Sequence, residues 1–256
     1  MSGSVQLQRE GAIAFVTVSH GGRLNAMSRA MWRVLRSTFE TLAQDAALRC
    51  VVVRGEGGAF CAGGDISEYP SFRFAEESLR AFHEDEVWAA LQAMLECPVP
   101  VVAQIEGACM GAGIEIASCC DIRLAGASAK FGAPIAKLGF PMAPREAALV
   151  RGAVGDVLAR DMLLAASVHG AARLCDAGFL LQVLPDDAVA DAALAHATRI
   201  AALAPAAARL NKATLLALNR APAPLPPTLP PAYRYADSAE HREGITAFLA
   251  KRSPVF

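Results

Sequence analysis

The chain has 256 residues and a formal net charge of -1, room for one large domain with a small appendage and no polyanion-binding signature, so nucleic acid is excluded as the expected partner. Hydrophobic residues make up 54%, but charged residues, glycine or proline break every apolar run before it could span a bilayer, so no membrane partner is expected. The opening MSGSVQLQREGAIAFVTV lacks a cationic start followed by an apolar stretch, and seven cysteines without paired spacing fit a reducing compartment, so a soluble cytoplasmic protein is expected.

Val5–Gln8 and Ala12–Val18 alternate apolar with other residues around Arg9-Glu10-Gly11, which predicts a hairpin opening a sheet. After the His20–Arg23 loop, Ser28 is placed to cap a helix on which Met31, Val34, Leu35, Phe39 and Leu42 recur at helical spacing. Cys50–Arg54 is a short β-branched strand. It runs into Gly55–Asp65, a stretch too rich in glycine for regular structure. A helix is predicted over roughly Phe74–Leu95, then a buried strand over Val99–Ile105.

The segment Gly107–Asp121, GACMGAGIEIASCCD, sets small residues where that strand gives way to a helix, with Glu115 in the first turns among apolar neighbours. The N–H groups at a helix start have no intrahelical partner, so they can hold a developing negative charge while a nearby carboxylate moves a proton. Helix packing and a favourable dipole explain the same residues equally well on their own. Desolvation by Ile114, Ile116 and Ala117 would raise the Glu115 pKa, and the helix start would lower it. Cys109, Cys119 and Cys120 read as core.

A short strand at Ile122–Leu124 follows. From Pro144 onward helices dominate: Pro144-Arg145-Glu146 opens one, Met162–Leu164, Ala171–Gly178 and Ala188–Leu203 continue in helical register, and Val183-Leu184 is the expected last strand. The proline-rich block 222–231 reads as a stiff connector, and the last helix, His241–Arg252, carries Ile245, Phe248 and Leu249 on one face. Strands alternating with helices predict an α/β fold with a parallel sheet, 1–200 forming the core and 201–256 a helical C-terminal region. The five histidines are scattered, with no HExxH and no CxxC, so neither metal nor other cofactor is expected.

Four segments together resemble the crotonase, or enoyl-CoA hydratase/isomerase, superfamily: Leu24-Asn25-Ala26-Met27, Gly58–Ile66 (GAFCAGGDI), Gly107–Asp121 and Glu243–Arg252 (EGITAFLAKR). The resemblance covers nearly the whole chain in the expected order. It implies a core of repeated ββα units, a helical C-terminal region that trimerises, and assembly as a homotrimer or dimer of trimers. It also implies an acyl-CoA thioester as substrate. By motif position the thioester carbonyl would lie between the backbone N–H groups of Gly64 and Ala112, with Glu115 as acid/base. CoA contacts would fall to Leu24, to the strip Ala62, Gly63, Gly64, Asp65 and Ile66, to Gly111, and to Lys251 near the CoA phosphates.

One departure stands out. The resemblance implies two glutamates in hydratases, one to activate water and one to handle the proton at the α-carbon; Glu115 matches the first, the second position holds Ile135, and Glu115 alone would then serve both steps through one water. Glu146 is the one nearby acid downstream, and its place in a helix's first turn favours a structural role. The leading expectation is an enoyl-CoA hydratase or isomerase working through Glu115. The alternatives are an acyl-CoA-binding paralogue without catalysis and another crotonase-type reaction such as decarboxylation or thioester hydrolysis. A dinucleotide turn at Gly111-Ala112-Gly113 is disfavoured because the third glycine position holds Ile116.

Overall fold

A computed structural model describes residues 3–220 and 238–256; the connector 222–231 lies outside the described residues. The opening hairpin forms as expected: β1 (Ser4–Glu10) pairs antiparallel with β2 (Ile13–Ser19), from Ser4 opposite Ser19 to Glu10 opposite Ile13. Beyond it β3 (Cys50–Gly55), β4 (Val101–Ile105), β6 (Ile122–Gly126) and β9 (Gln182–Leu184) add in parallel, giving one six-stranded sheet in the order β1-β2-β3-β4-β6-β9.

The nearly continuous apolar runs of these strands follow from burial on both faces. Ala14, Val16, Val51, Val53, Val101 and Ala103 point into the main core, while Ile13, Phe15, Cys50, Val52 and Val102 point the other way onto Ala193, Ala197 and Ile200. The period of two divides each strand between the two clusters. The second face is covered by α8 (Val189–Ala201).

The first face is covered in part by α1 (Arg29–Ala43), whose Ser28 N-cap accepts a hydrogen bond from the Met31 N–H. Its buried stripe is Met31, Trp32, Leu35, Phe39 and Leu42, and Val34 is exposed. The expected stripe was therefore rotated slightly: with Trp32 turned inward, Val34 lies about 100° from Leu35 around the helix and faces solvent.

The expected strand-to-helix step at Gly107 contains an additional strand. Between β4 and α4 (Ala112–Ser118), β5 (Ala108–Met110) leaves the large sheet and joins β7 (Lys130–Gly132) and β8 (Val168–Gly170) in a second, three-stranded sheet. Isolated parallel bridges carry this second layer toward the N-terminus, Cys61 to Cys109 and Met27 to Gly64. Each unit thus runs from a long strand in the large sheet to a short extended piece in the small layer and then to a helix: β2, Met27, α1; β3, Cys61–Gly64, a helix; β4, β5, α4. These are the repeated ββα units.

The helix predicted over Phe74–Leu95 is present but not uniform. α2 (Glu76–Ala81) passes into a π-helical turn over Phe82–Trp88 and returns to α3 (Ala89–Leu95). After β7 a 3₁₀ turn, Pro134–Leu138, leads to α5 (Pro144–Val154), with Pro144 at its first position, then α6 (Asp156–Leu164) and α7 (Ala171–Asp176). In the C-terminal region, α9 (Pro205–Arg220) is tied to the core by Lys212, whose ammonium donates to the Val99 carbonyl at 2.9 Å and to Asp121 at 2.7 Å. The last helix, α10 (Ala239–Leu249), is joined to α9 by the Ala206 N–H donating to Glu240 at 2.8 Å. On α10 Ala247 is buried, while Ile245 and Leu249 are exposed.

Candidate active site

Two turns of the small layer build the site. In the first, the Ala62 N–H donates to the Leu24 carbonyl at 2.9 Å, the Met27 N–H to Gly63 at 2.8 Å and the Asp65 N–H to Met27 at 2.8 Å. In the second, the Met110 N–H donates to the Cys61 carbonyl and the Gly111 N–H to Gly132, each at 2.8 Å. The N–H groups of Gly64 and Ala112 are donors in none of these bonds, and Ala112 is the first residue of α4, where no intrahelical acceptor exists.

Glycine is required at two places in the second turn. Gly111 has φ +48°, ψ -111°, a conformation that side-chain-bearing residues avoid. A Cβ on Gly113 would stand 2.4 Å from the Cys61 carbonyl oxygen, so the first helical turn can approach the neighbouring strand only without a side chain there.

Between the turns lies a cavity of ≈ 330 Å³. Of the residues expected at the site, Ala62, Gly63, Gly64, Ile66, Gly111, Ala112 and Glu115 line it, and so does Ile135. Three expected residues do not. Leu24 is exposed beside the turn and meets it through its carbonyl. Asp65 is buried and turned to structure, pairing with Arg23 and accepting from the Ser67 N–H at 3.1 Å and hydroxyl at 2.7 Å. Lys251 is exposed in the turn after α10, with φ +53°. The apolar wall comes from Trp32, Phe82, Val87, Leu138, Phe140 and Met142.

A family model described as enoyl-CoA hydratase/isomerase matches residues 8–256. The chain belongs to this family. It is 32% identical over 259 residues to a 2,3-dehydroadipyl-CoA hydratase of Escherichia coli, covering 98% of this chain and 97% of that one. Among solved structures it is similar to an enoyl-CoA hydratase/carnithine racemase from Magnetospirillum magneticum, with a TM-score of 0.94, 40% identity and coverage of 98% and 94%. An enoyl-CoA hydratase from Polaromonas superposes with a TM-score of 0.88 at 26% identity, covering 99% of each chain. The protein is thus a crotonase-superfamily enzyme of the acyl-CoA class, as its motifs implied.

The acid side of this cavity holds two carboxyl groups, Glu115 and Glu146. Glu115 is buried on α4, and among the described residues no hydrogen bond to its carboxylate is found. The two opposing influences on it resolve clearly: burial pushes its pKa well above the ordinary carboxylate value, and the nearby Glu146 carboxylate pushes further the same way. The helix start does not offset them.

Glu146 occupies the helix start expected of it. It does lie in the first turn of α5, but its side chain is only 3% exposed, it lines the same cavity, and its Oε1 lies 2.8 Å from His83 Nδ1. A carboxylate only accepts, so with Glu146 ionised the His83 Nδ1–H is the donor in this contact. The packing of α5 on α4 turned an end-of-helix acid inward.

Tyr69, Arg73 and His83 also line the cavity, and none of them was marked by the sequence. The Tyr69 hydroxyl stands where a side chain on Gly64 would point, 2.3 Å from that Cβ position. Burial raises the Tyr69 pKa; the Arg73 cation works against that, and Glu115 and Glu146 add to it. The Arg73 guanidinium lies over the rings of Phe140, at 3.8 Å, and Tyr69, at 4.5 Å. Cys109 and Cys61 are fully buried beside the turns, and burial holds the Cys109 thiol well above its ordinary pKa and pushes Cys61 to about 12, so neither is a nucleophile.

Proposed function

We propose that this chain binds an acyl-CoA thioester with its carbonyl oxygen between the N–H groups of Gly64 and Ala112, and that Glu115 moves a proton at the adjacent carbon as an enoyl-CoA hydratase or isomerase. The observation that carries this reading is that Gly64 and the first turn of α4 with Ala112 and Glu115, distant from each other in sequence, line one cavity through two turns hydrogen-bonded to each other. Two donors aimed at one oxygen stabilise an enolate as it forms, and each is worth roughly 3–4 kcal/mol of barrier in comparable sites. With the thioester as electron sink, a buried carboxyl group whose pKa is raised by its surroundings is suited to exchange a proton with the α-carbon.

CoA would lie along Ala62–Ile66 beside Leu24, with Gly111 against the pantetheine end and Lys251 meeting the CoA phosphates. No cofactor beyond the CoA of the substrate enters this chemistry. The exposed Leu203, Leu215, Ile245 and Leu249 of the C-terminal region support assembly through it, as a homotrimer or dimer of trimers. Seven free cysteines support a cytoplasmic setting.

The test is turnover of a panel of acyl-CoAs read by mass spectrometry and chromatography, which separates hydration, isomerisation, decarboxylation and hydrolysis. Glu115→Gln should remove turnover while acyl-CoA affinity by calorimetry stays. Ile135, which lines the cavity with hydrocarbon where relatives of this type carry an acid, favours a second reading, an acyl-CoA-binding paralogue without catalysis. Tight acyl-CoA binding with no turnover across the panel would select it.

A further inference from the structure

The pair formed by half-buried His83 and buried Glu146 has no assigned part in this chemistry. It reaches the cavity from two elements that the sequence keeps far apart. The π-helical turn over 82–88, with hydrogen bonds between residues five apart, brings Phe82 and Val87 to one face toward the cavity and sets His83 beside them, opposite the first turn of α5. Glu146 projects from that turn with one oxygen, Oε1, on His83 Nδ1. Among the described residues, Oε2 takes no hydrogen bond and remains for a group in the cavity.

A purely structural tie between the two elements would be a poor use of these residues. Next to the pair, Arg145 and Glu84 already join α5 to the π-helical turn at 3.2 Å in a partly exposed ion pair. A second carboxylate buried within electrostatic range opposes ionisation of Glu115, a cost that an apolar contact between the same elements would avoid. Position 135, by contrast, supplies only hydrocarbon to the cavity.

We propose that Glu146 is the second proton-transfer group of this site, and that His83 is a positioning residue that fixes Glu146 Oε1 so that Oε2 faces the substrate. The proposal rests on the acyl-CoA reading above. For a 2-enoyl thioester, the Glu146 carboxylate takes a proton from water as the water oxygen bonds to the β-carbon. The electrons of the carbon–carbon double bond move into the thioester carbonyl, whose oxygen lies at the Gly64 and Ala112 N–H groups. Collapse of the enolate draws the Glu115 proton onto the α-carbon. One water has been added, Glu146 is protonated and Glu115 ionised, and a proton passing from Glu146 to Glu115 restores the starting state.

The two carboxyls therefore separate by experiment. Exchange of the α-protons of a saturated acyl-CoA with deuterated water uses the ionised form of Glu115 and no attacking water, whereas hydration of the matching 2-enoyl-CoA needs both carboxyls. Glu146→Gln should bind acyl-CoA normally, keep α-proton exchange within about threefold and lose hydration on the order of 10²-fold. Glu115→Gln should lose both. His83→Phe should lose hydration roughly tenfold through a loosened carboxylate, and His83→Asn, which can still donate at the Nδ1 position, should recover most of it. Wild-type hydration in Glu146→Gln, or loss of exchange together with hydration, overturns the proposal while leaving the Glu115 reading intact. A wild-type enzyme without exchange or hydration overturns both. Should Glu146→Gln not fold, the His83 pair decides: equal hydration by His83→Phe and wild type overturns the proposal.

Discussion

In the large sheet the central strands β2, β3 and β4 send alternate side chains to two packed faces, while in the small layer three-residue strands and single bridges serve mainly to end the backbone at chosen points. The first region is built of side chains whose job is volume. The second turns the main chain at Gly64 and Ala112 toward a cavity lined by ionisable side chains, among them Glu115, Glu146, His83 and Tyr69. The difference teaches where to expect separable effects: changes in the large sheet should alter stability with the chemistry intact, and changes at the small layer should do the reverse.

Glu115→Gln is the sharpest test of that separation and carries the largest expected effect, a loss of turnover of roughly 10²–10⁴-fold. Its stability should move the opposite way. The Glu115 pKa is raised on folding, so the folded state binds the proton more tightly than the unfolded chain, and wild-type stability is lost as pH rises from the ordinary carboxylate value toward the folded one. The glutamine variant does not ionise. It should therefore be more stable than wild type at neutral pH, on the order of 1 kcal/mol or more, and the gain should vanish near about pH 4. Urea denaturation at several pH values reads this directly; a variant that is inactive and also less stable at neutral pH would break the assignment of Glu115 as a costly buried acid.

The matching experiment on the other region is Phe39→Ala. Phe39 is fully buried between α1 and the large sheet, and its removal should cost about 3–5 kcal/mol through lost burial and a residual cavity. At a temperature where the variant remains folded, kcat and KM per folded molecule should match wild type. A shifted KM would show that the core and the site are mechanically coupled.

The same division governs how much could be read in advance. Strands of the large sheet announce themselves by apolar runs, and α1 by its stripe, because burial acts on side-chain type at a fixed period. The turns at Gly63–Gly64 and Gly111–Gly113 were legible as well, since only small residues allow the backbone to be approached so closely. What stayed hidden depended on tertiary placement. Nothing local distinguishes a π-helical turn over Phe82–Trp88 from ordinary helix, so His83 carried no signal. Glu146 had a sufficient local explanation at a helix start, and only the packing of α5 against α4 turned it inward. β5 and β8 were too short, at three residues each, for any period to show.

Asp65 bridges the two regions in kind: it belongs to the small layer yet acts structurally. Burial alone would raise its pKa, but hydrogen bonds from the Ser67 hydroxyl and N–H, with the Arg23 cation, outweigh that and hold it below the ordinary value. Its stabilisation is thus present above the usual carboxylate range and lost as pH falls through the lowered value. Asp65→Asn should cost about 1–2 kcal/mol at neutral pH, with the gap to wild type closing in acid, and should raise KM for acyl-CoA by loosening the strip that follows Ala62. Thermal melts across pH, paired with KM, check both halves; a KM change without a stability change would move Asp65 from the turn to the ligand.

The smallest effect is expected at Lys251, which stands outside the cavity, exposed and following α10. If it meets a CoA phosphate, the contact is between solvent-exposed charges, worth at most about 1 kcal/mol and weakened by salt. Lys251→Ala should therefore raise KM up to about fivefold at low ionic strength and leave kcat unchanged, with wild type and variant converging as salt is added. Because the cavity of a single chain does not include Lys251, the same effect should disappear for a protein kept monomeric if the phosphate is reached across a subunit boundary. Comparing the salt dependence of KM with the mass measured by light scattering distinguishes a contact within one chain from one that assembly creates.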